Sequence, residues 1–121
     1  AEIAASNAGS ETNDFLDNGY DELNNRFQTA LSRTIELADA AYRNEPELLE
    51  TLRLREDAAW LCLDAAQSAA LHTGAAGYLM SSPVQRRVRE AMFVAIVTPA
   101  IKHLRKEISE LEFIGEGEFS I

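Results

Sequence analysis

Two glycines three residues apart, Gly74 and Gly77, separate a run of small and apolar residues from the pair Ser82-Pro83. Glycine reaches positive φ past a helix end, and proline fits the first turn of the next helix, where no N–H is missed. The segment GAAGY at 74–78 is therefore expected to end one helix, and Ser82-Pro83 to start a basic one. Such a turn brings free backbone N–H groups near a helix start, where an anion can sit. Two readings stay open. Either the glycines let a ligand approach the backbone, or they only shape the turn.

Other residues offer less chemistry. A di-iron bundle needs Glu-x-x-His pairs on facing helices, whereas His72 and His103 have Ala69 and Ala100 three residues before them. Two histidines so far apart make no zinc site by sequence. His72, just before the turn, reads as a helix C-terminal cation or cap, and His103 as part of a solvated basic face at 102–106. Ser81 and Ser82 read as helix caps, since no His or carboxylate is placed to activate them as nucleophiles. Arg89 and Glu90 read as a structural pair, with Arg89 bonding the end of a neighbouring helix. Cys62, beside Trp60, Leu61 and Leu63, reads as buried filler. As the sole cysteine it allows no internal disulfide, which suits a reducing compartment and a cytoplasmic location. No catalytic residue and no metal ligand emerges.

The elements that must position the turn follow from periodicity. Residues 1–12 are small, polar and aperiodic, a flexible lead-in. Apolar residues at helical spacing from Leu16 to Ala41 predict one long helix over 13–43, weakened near Gly19. Asn44 and Glu47 have capping-box spacing and Pro46 suits a first turn, predicting a second helix over 46–73. Its inward face is Leu49, Leu52, Ala59, Leu63, Ala66 and Ala70. A third helix over 83–97 carries Val84, Val88, Ala91, Met92, Ala95 and Ile96 inward. Pro99 forces a break at Thr98 and opens a fourth helix with Ile101, Leu104, Ile108 and Leu111. These helices form the bundle of 13–112. A Gly-containing acidic tail follows at 113–121, anchored by Phe113, Ile114 and Phe119. The expected fold is all-α, an up-and-down four-helix bundle with short connections.

The net charge of −9 argues against general nucleic-acid binding, and charges interrupt every apolar run long enough to approach a membrane span. No charged-then-apolar leader pattern opens the chain. The charge is uneven. Fourteen of the 20 acidic residues lie at or before Asp64, whereas residues 65–106 hold six Lys or Arg and one acid, Glu90. That local positive face is either a solvated helix surface or a contact for an anionic ligand or an acidic partner.

The order and spacing of 69–105 resemble the C-terminal helical domain of the acyl-CoA dehydrogenase flavoenzymes. There a G-G-x-G-[YF] turn precedes a short spacer, Pro-Val, a basic residue and an Arg-Asp or Arg-Glu pair. Here those parts are Gly74-Ala75-Ala76-Gly77-Tyr78, residues 79–82, Pro83-Val84, Arg86 and Arg89-Glu90. The resemblance implies that Gly74, Ala75 and Gly77 contact FAD bound to a neighbouring subunit, with Tyr78 packed beside them. Three departures qualify that implication. Leu71 stands where many members have a flavin-contacting Gln, and Ala75 replaces the second Gly. Thr98 occupies the place of the catalytic Glu in medium-chain-type members, and a hydroxyl cannot remove the thioester's α-proton. At 121 residues the chain is one domain, without the β-domain that cradles flavin. The implied role is assembly, as a homo-oligomer or a subunit of a larger oxidoreductase, closing a partner's FAD site without a base of its own. The alternative is a free-standing, non-catalytic helical interaction module that has lost flavin binding.

Overall fold

The computed structural model describes residues 11–97 and 99–119. A 3-10 turn at Glu11–Phe15 leads into four helices: α1 (Tyr20–Tyr42), α2 (Leu48–Thr73), α3 (Pro83–Ile96) and α4 (Ile101–Phe119). A second 3-10 turn, Gly74–Tyr78, joins α2 to α3. Among the described residues there is no strand, and the expected all-α four-helix bundle is the observed fold. Residues 1–10 of the expected lead-in lie outside the described residues.

Helix α2 is the hub, packing against α1, α3 and α4. Leu52 and Leu54 are both buried, and residues two apart point to opposite sides of a helix, so α2 is covered on more than one side. Leu63 and Ala66 of α2 meet Ala91 and Ala95 of α3, with Val88 and Ile101 packed against them. Alanines at this contact let the helix axes approach closely. Helix α1 lies on α2 with Leu23 and Ala40 buried and with three ion pairs between them, Arg26–Asp64 at 2.8 Å, Arg33–Asp57 at 2.7 Å and a longer Arg33–Glu50 at 3.8 Å. Partly exposed pairs of this kind contribute about 0.2–1 kcal/mol each, so they set register more than stability.

Several boundaries and burials differ from expectation. The first helix does not start at 13: Asn18 takes a left-handed φ of 55° and Gly19 is the N-cap of α1. Asn44 does not cap α2. Its φ of 61° ends α1, with Asn44 N–H donating to Ala41 O and Glu45 N–H to Ala40 O, the bond pattern of a Schellman stop. Helix α2 accordingly begins at Leu48, two residues beyond Pro46. Within α2, Leu49 and Ala70 are only half-buried, while Ser68, Ala69 and His72 are fully so. Cys62, expected as buried filler, is exposed. Met92 and Ile96 are exposed on α3. Helix α4 begins at Ile101 and runs unbroken through Gly115 to Phe119, so 113 is no helix end, and Phe113 and Ile114 are exposed rather than anchoring. Each glycine there costs a helix about 1 kcal/mol, which weakens it without ending it.

A buried polar knot ties the N-terminal segment to α2. Ser68, 2 % exposed, donates its hydroxyl proton to Asn18 O at 2.6 Å. That proton is then committed, so the 3.1 Å contact to His72 requires the imidazole Nδ1–H to donate. The same N–H also reaches Ser68 O at 2.7 Å. His72 is thus an interior hydrogen-bonding group whose Nδ1–H donates, rather than an exposed side chain at the helix end; Asn13 Nδ2 donates to its carbonyl at 3.3 Å. Ser68→Ala leaves the Asn18 carbonyl without its donor and is expected to lower stability by about 1–3 kcal/mol, measured by urea unfolding. A cost near zero means the segment before α1 is not held by this contact.

Candidate functional site

Local backbone physics builds the corner between α2 and α3. Gly74 has φ 79° and ψ −149°, a region open essentially to glycine alone, and its N–H closes α2 on Ala70 O. Gly77 is buried with ordinary φ. A Cβ built there would meet the Thr73 Cβ at 3.4 Å and Ala70 O at 3.5 Å, ordinary contact distances. Gly77 therefore faces α2 and seats the turn on it. As expected of a cap, Ser82 Oγ accepts from Val84 N–H at 3.2 Å, and Pro83 occupies the first turn of α3.

This corner walls a cleft of ≈ 640 Å³, lined by Gln67, Ala70, Leu71, Gly74, Gly77, Tyr78, Gln85 and Val88. Of the four residues singled out for cofactor contact, Gly74, Gly77 and Tyr78 line it; Ala75 is exposed on the same turn. Tyr78 is 83 % exposed, its ring free to stack on something. The two glutamines, Gln67 and Gln85, were not legible as site residues, since only the turn geometry brings α2 and α3 together around them. Among the described residues the lining is chiefly apolar, with amide groups and no cation. It suits an uncharged, flat, hydrogen-bonding group such as an adenosine moiety. It does not suit a pyrophosphate, which calls for cations or a converging set of N–H donors.

Among the described residues that line the cleft there is no Asp, Glu or His. Glu90 is held by Arg86 Nε and Arg87 Nη1, each at 2.8 Å, and these two hydrogen bonds keep its carboxyl below the usual carboxylate range. An acid so stabilised in its ionised form is a weak base. The expected Arg89–Glu90 pairing is not formed, because successive residues on a helix diverge while those three or four apart share a face. Arg89 Nη1 instead donates to Met80 Sδ at 3.3 Å. Thr98, at the break before α4, lies outside the described residues. Among the described residues no group of His, Cys, Asp and Glu could hold a metal ion, and no helix is long and apolar enough to cross a membrane.

Among curated proteins and solved structures, none matches the chain. The family model described as acyl-CoA dehydrogenase, C-terminal domain, matches residues 23–98. That stretch covers nearly all of α1, the whole of α2, the glycine turn and α3. With well over half of the 121 residues matched and the helical corner built as described, the chain belongs to the acyl-CoA dehydrogenase C-terminal domain family.

Proposed function

We propose that this domain serves assembly of an acyl-CoA dehydrogenase-like flavoenzyme, as a homo-oligomer or a larger cytoplasmic oxidoreductase subunit, and closes the FAD site of a partner. The observation that carries this reading is the cleft under Gly74, Gly77 and Tyr78, open, apolar and amide-lined. FAD would supply hydride-accepting chemistry from the partner's side. On this side Tyr78 offers a stacking face, Gln67 and Gln85 offer amides, and Leu71 with Val88 excludes water from the adenosine end. No residue of this chain removes a proton in that scheme.

Equilibrium dialysis of the full chain against FAD, AMP and FMN tests the reading. Retention of FAD and AMP but not FMN is expected, because FMN lacks the adenosine moiety. Leu71→Gln, at an exposed position, should raise FAD retention severalfold by adding an amide. Retention of none of the three, or of FMN equally with FAD, removes the flavin role. A second reading, a free-standing interaction module without flavin, is favoured by the exposed stripe of Phe27, Leu31 and Ile35 on α1, spaced four residues apart along one face. It predicts self-association on sizing with no nucleotide retained.

A further inference from the structure

A second cleft, of ≈ 330 Å³, opens between α1 and α2. Its volume stands at the lower end of the range for small-molecule sites, about 300–1,000 Å³, which suits one bicyclic ring rather than a dinucleotide. The small side chain of Ala30 leaves room beside Trp60 and Leu61. Arg26 and Arg33 line the α1 side, seven residues and so about 10 Å apart along one face, and Asp57 lines the α2 side. Each guanidinium already has a carboxylate from α2, Asp64 for Arg26 and Asp57 for Arg33, each reached through Nη1. These four charges cancel, so the cleft offers an anion little net attraction. What remains is hydrogen-bonding capacity. Among the described residues Arg33 Nη2 makes only a 3.8 Å contact with Glu50, too long for a hydrogen bond, and Asp57 Oδ1 accepts nothing. A guanidinium donor and a carboxylate acceptor thus stand side by side next to an indole. Arg105 of α4 steadies that ring, its guanidinium 5.3 Å from the centroid.

We propose that this cleft binds a neutral purine base of the guanine type, stacked on Trp60 and read at its edge by Arg33 and Asp57. Guanine offers O6 and N7 to a guanidinium, and its N1–H and N2–H donors to a carboxylate. Adenine has no carbonyl and a single amino group on its edge, so it leaves one of the two partners unmet. Stacking does not distinguish the two bases, since each has a π-face; the edge does. The inference does not rest on the flavin reading, whose cleft shares no lining residue with this one.

Trp60 is the chain's only tryptophan, so its emission reports from the cleft wall. The full chain is titrated with guanosine, adenosine and GMP, following Trp60 emission and heat by isothermal calorimetry. Guanosine should quench the emission to saturation. Adenosine should bind about tenfold more weakly, the ratio that one hydrogen bond of about 1.4 kcal/mol supplies. GMP should bind no more tightly than guanosine, because its phosphate meets no uncompensated cation. Asp57→Asn, at a side chain 59 % exposed and so compatible with folding, should bring guanosine to the level of adenosine while leaving adenosine unchanged. Thr29→Met, at another exposed lining position, should fill the slot and abolish guanosine binding with far-UV circular dichroism unaltered. Tyr78→Ala, at the glycine corner, should leave guanosine binding as it is. Equal midpoints for guanosine and adenosine, tighter binding of GMP, an unshifted midpoint in Asp57→Asn, loss of guanosine binding in Tyr78→Ala, or no saturable response by either method overturns the proposal.

Discussion

Leu104→Ala is expected to lower the unfolding free energy by about 2–5 kcal/mol, the range for deleting a fully buried leucine side chain. Leu104 is 2 % exposed, one of the two largest side chains buried this completely among the described residues; Leu23 of α1, at 1 %, is the other. It sits on α4, which packs mainly against α2, so truncation opens a void along that contact. The cost has two parts, the lost transfer energy of the removed methyl and methylene groups and the cavity that neighbouring helices only partly collapse. Urea unfolding should show a lower midpoint with an unchanged slope, the sign of weaker stability with the same area exposed. Leu111→Ala, at a half-buried position on the same helix, should cost less. The comparison matters because α4 lies beyond the residues that match the family model. Equal and small losses at both positions would mean that α4 does not dock on the other three helices.

The second large effect is expected at the glycine turn, and it separates two residues that look alike in sequence. Gly74→Ala should cost about 1–3 kcal/mol, because alanine must be held in a backbone region that its Cβ disfavours. Space is not the obstacle, since nothing lies within 4 Å of the added Cβ. Gly77→Ala should be close to neutral. Its φ is ordinary and the new Cβ would make only normal contacts with Thr73 and Ala70, while the unfolded chain loses some entropy. Thermal midpoints of the two variants decide the matter. A Gly77→Ala variant as damaged as Gly74→Ala would show that the turn sits tighter on α2 than described.

Much of the fold was legible because it rests on local rules. Periodicity placed the four helices, and the Ser82-Pro83 start of α3 follows from capping and proline geometry that involve only neighbouring residues. The failures also have local causes. Asn18 and Asn44 each adopt positive φ, a conformation asparagine tolerates but does not announce, so the sequence pattern misplaces the starts of α1 and α2 while placing the stop of α1 at Asn44. The end of α4 was misread because Gly115 and Gly117 suggested a tail, though isolated glycines weaken a helix without always ending it.

Burial was harder to read than secondary structure. Met92, Ile96 and Cys62 all satisfy an inward helical pattern, yet all three are exposed. An apolar stripe limits which side of a helix can be covered, but the positions of neighbouring helices choose how much of it is. The sequence alone determined where helices form, where Gly74 must bend the chain, and which family the corner resembles, since these depend on backbone preferences and spacing within a few residues. Only the tertiary structure decided that Ser68 and His72 are interior, that two glutamines flank the glycine cleft, and that Arg33 and Asp57 meet beside Trp60. Those relations join residues from different helices or set them against a neighbouring segment, and the packing distances that create them are not encoded in any one segment.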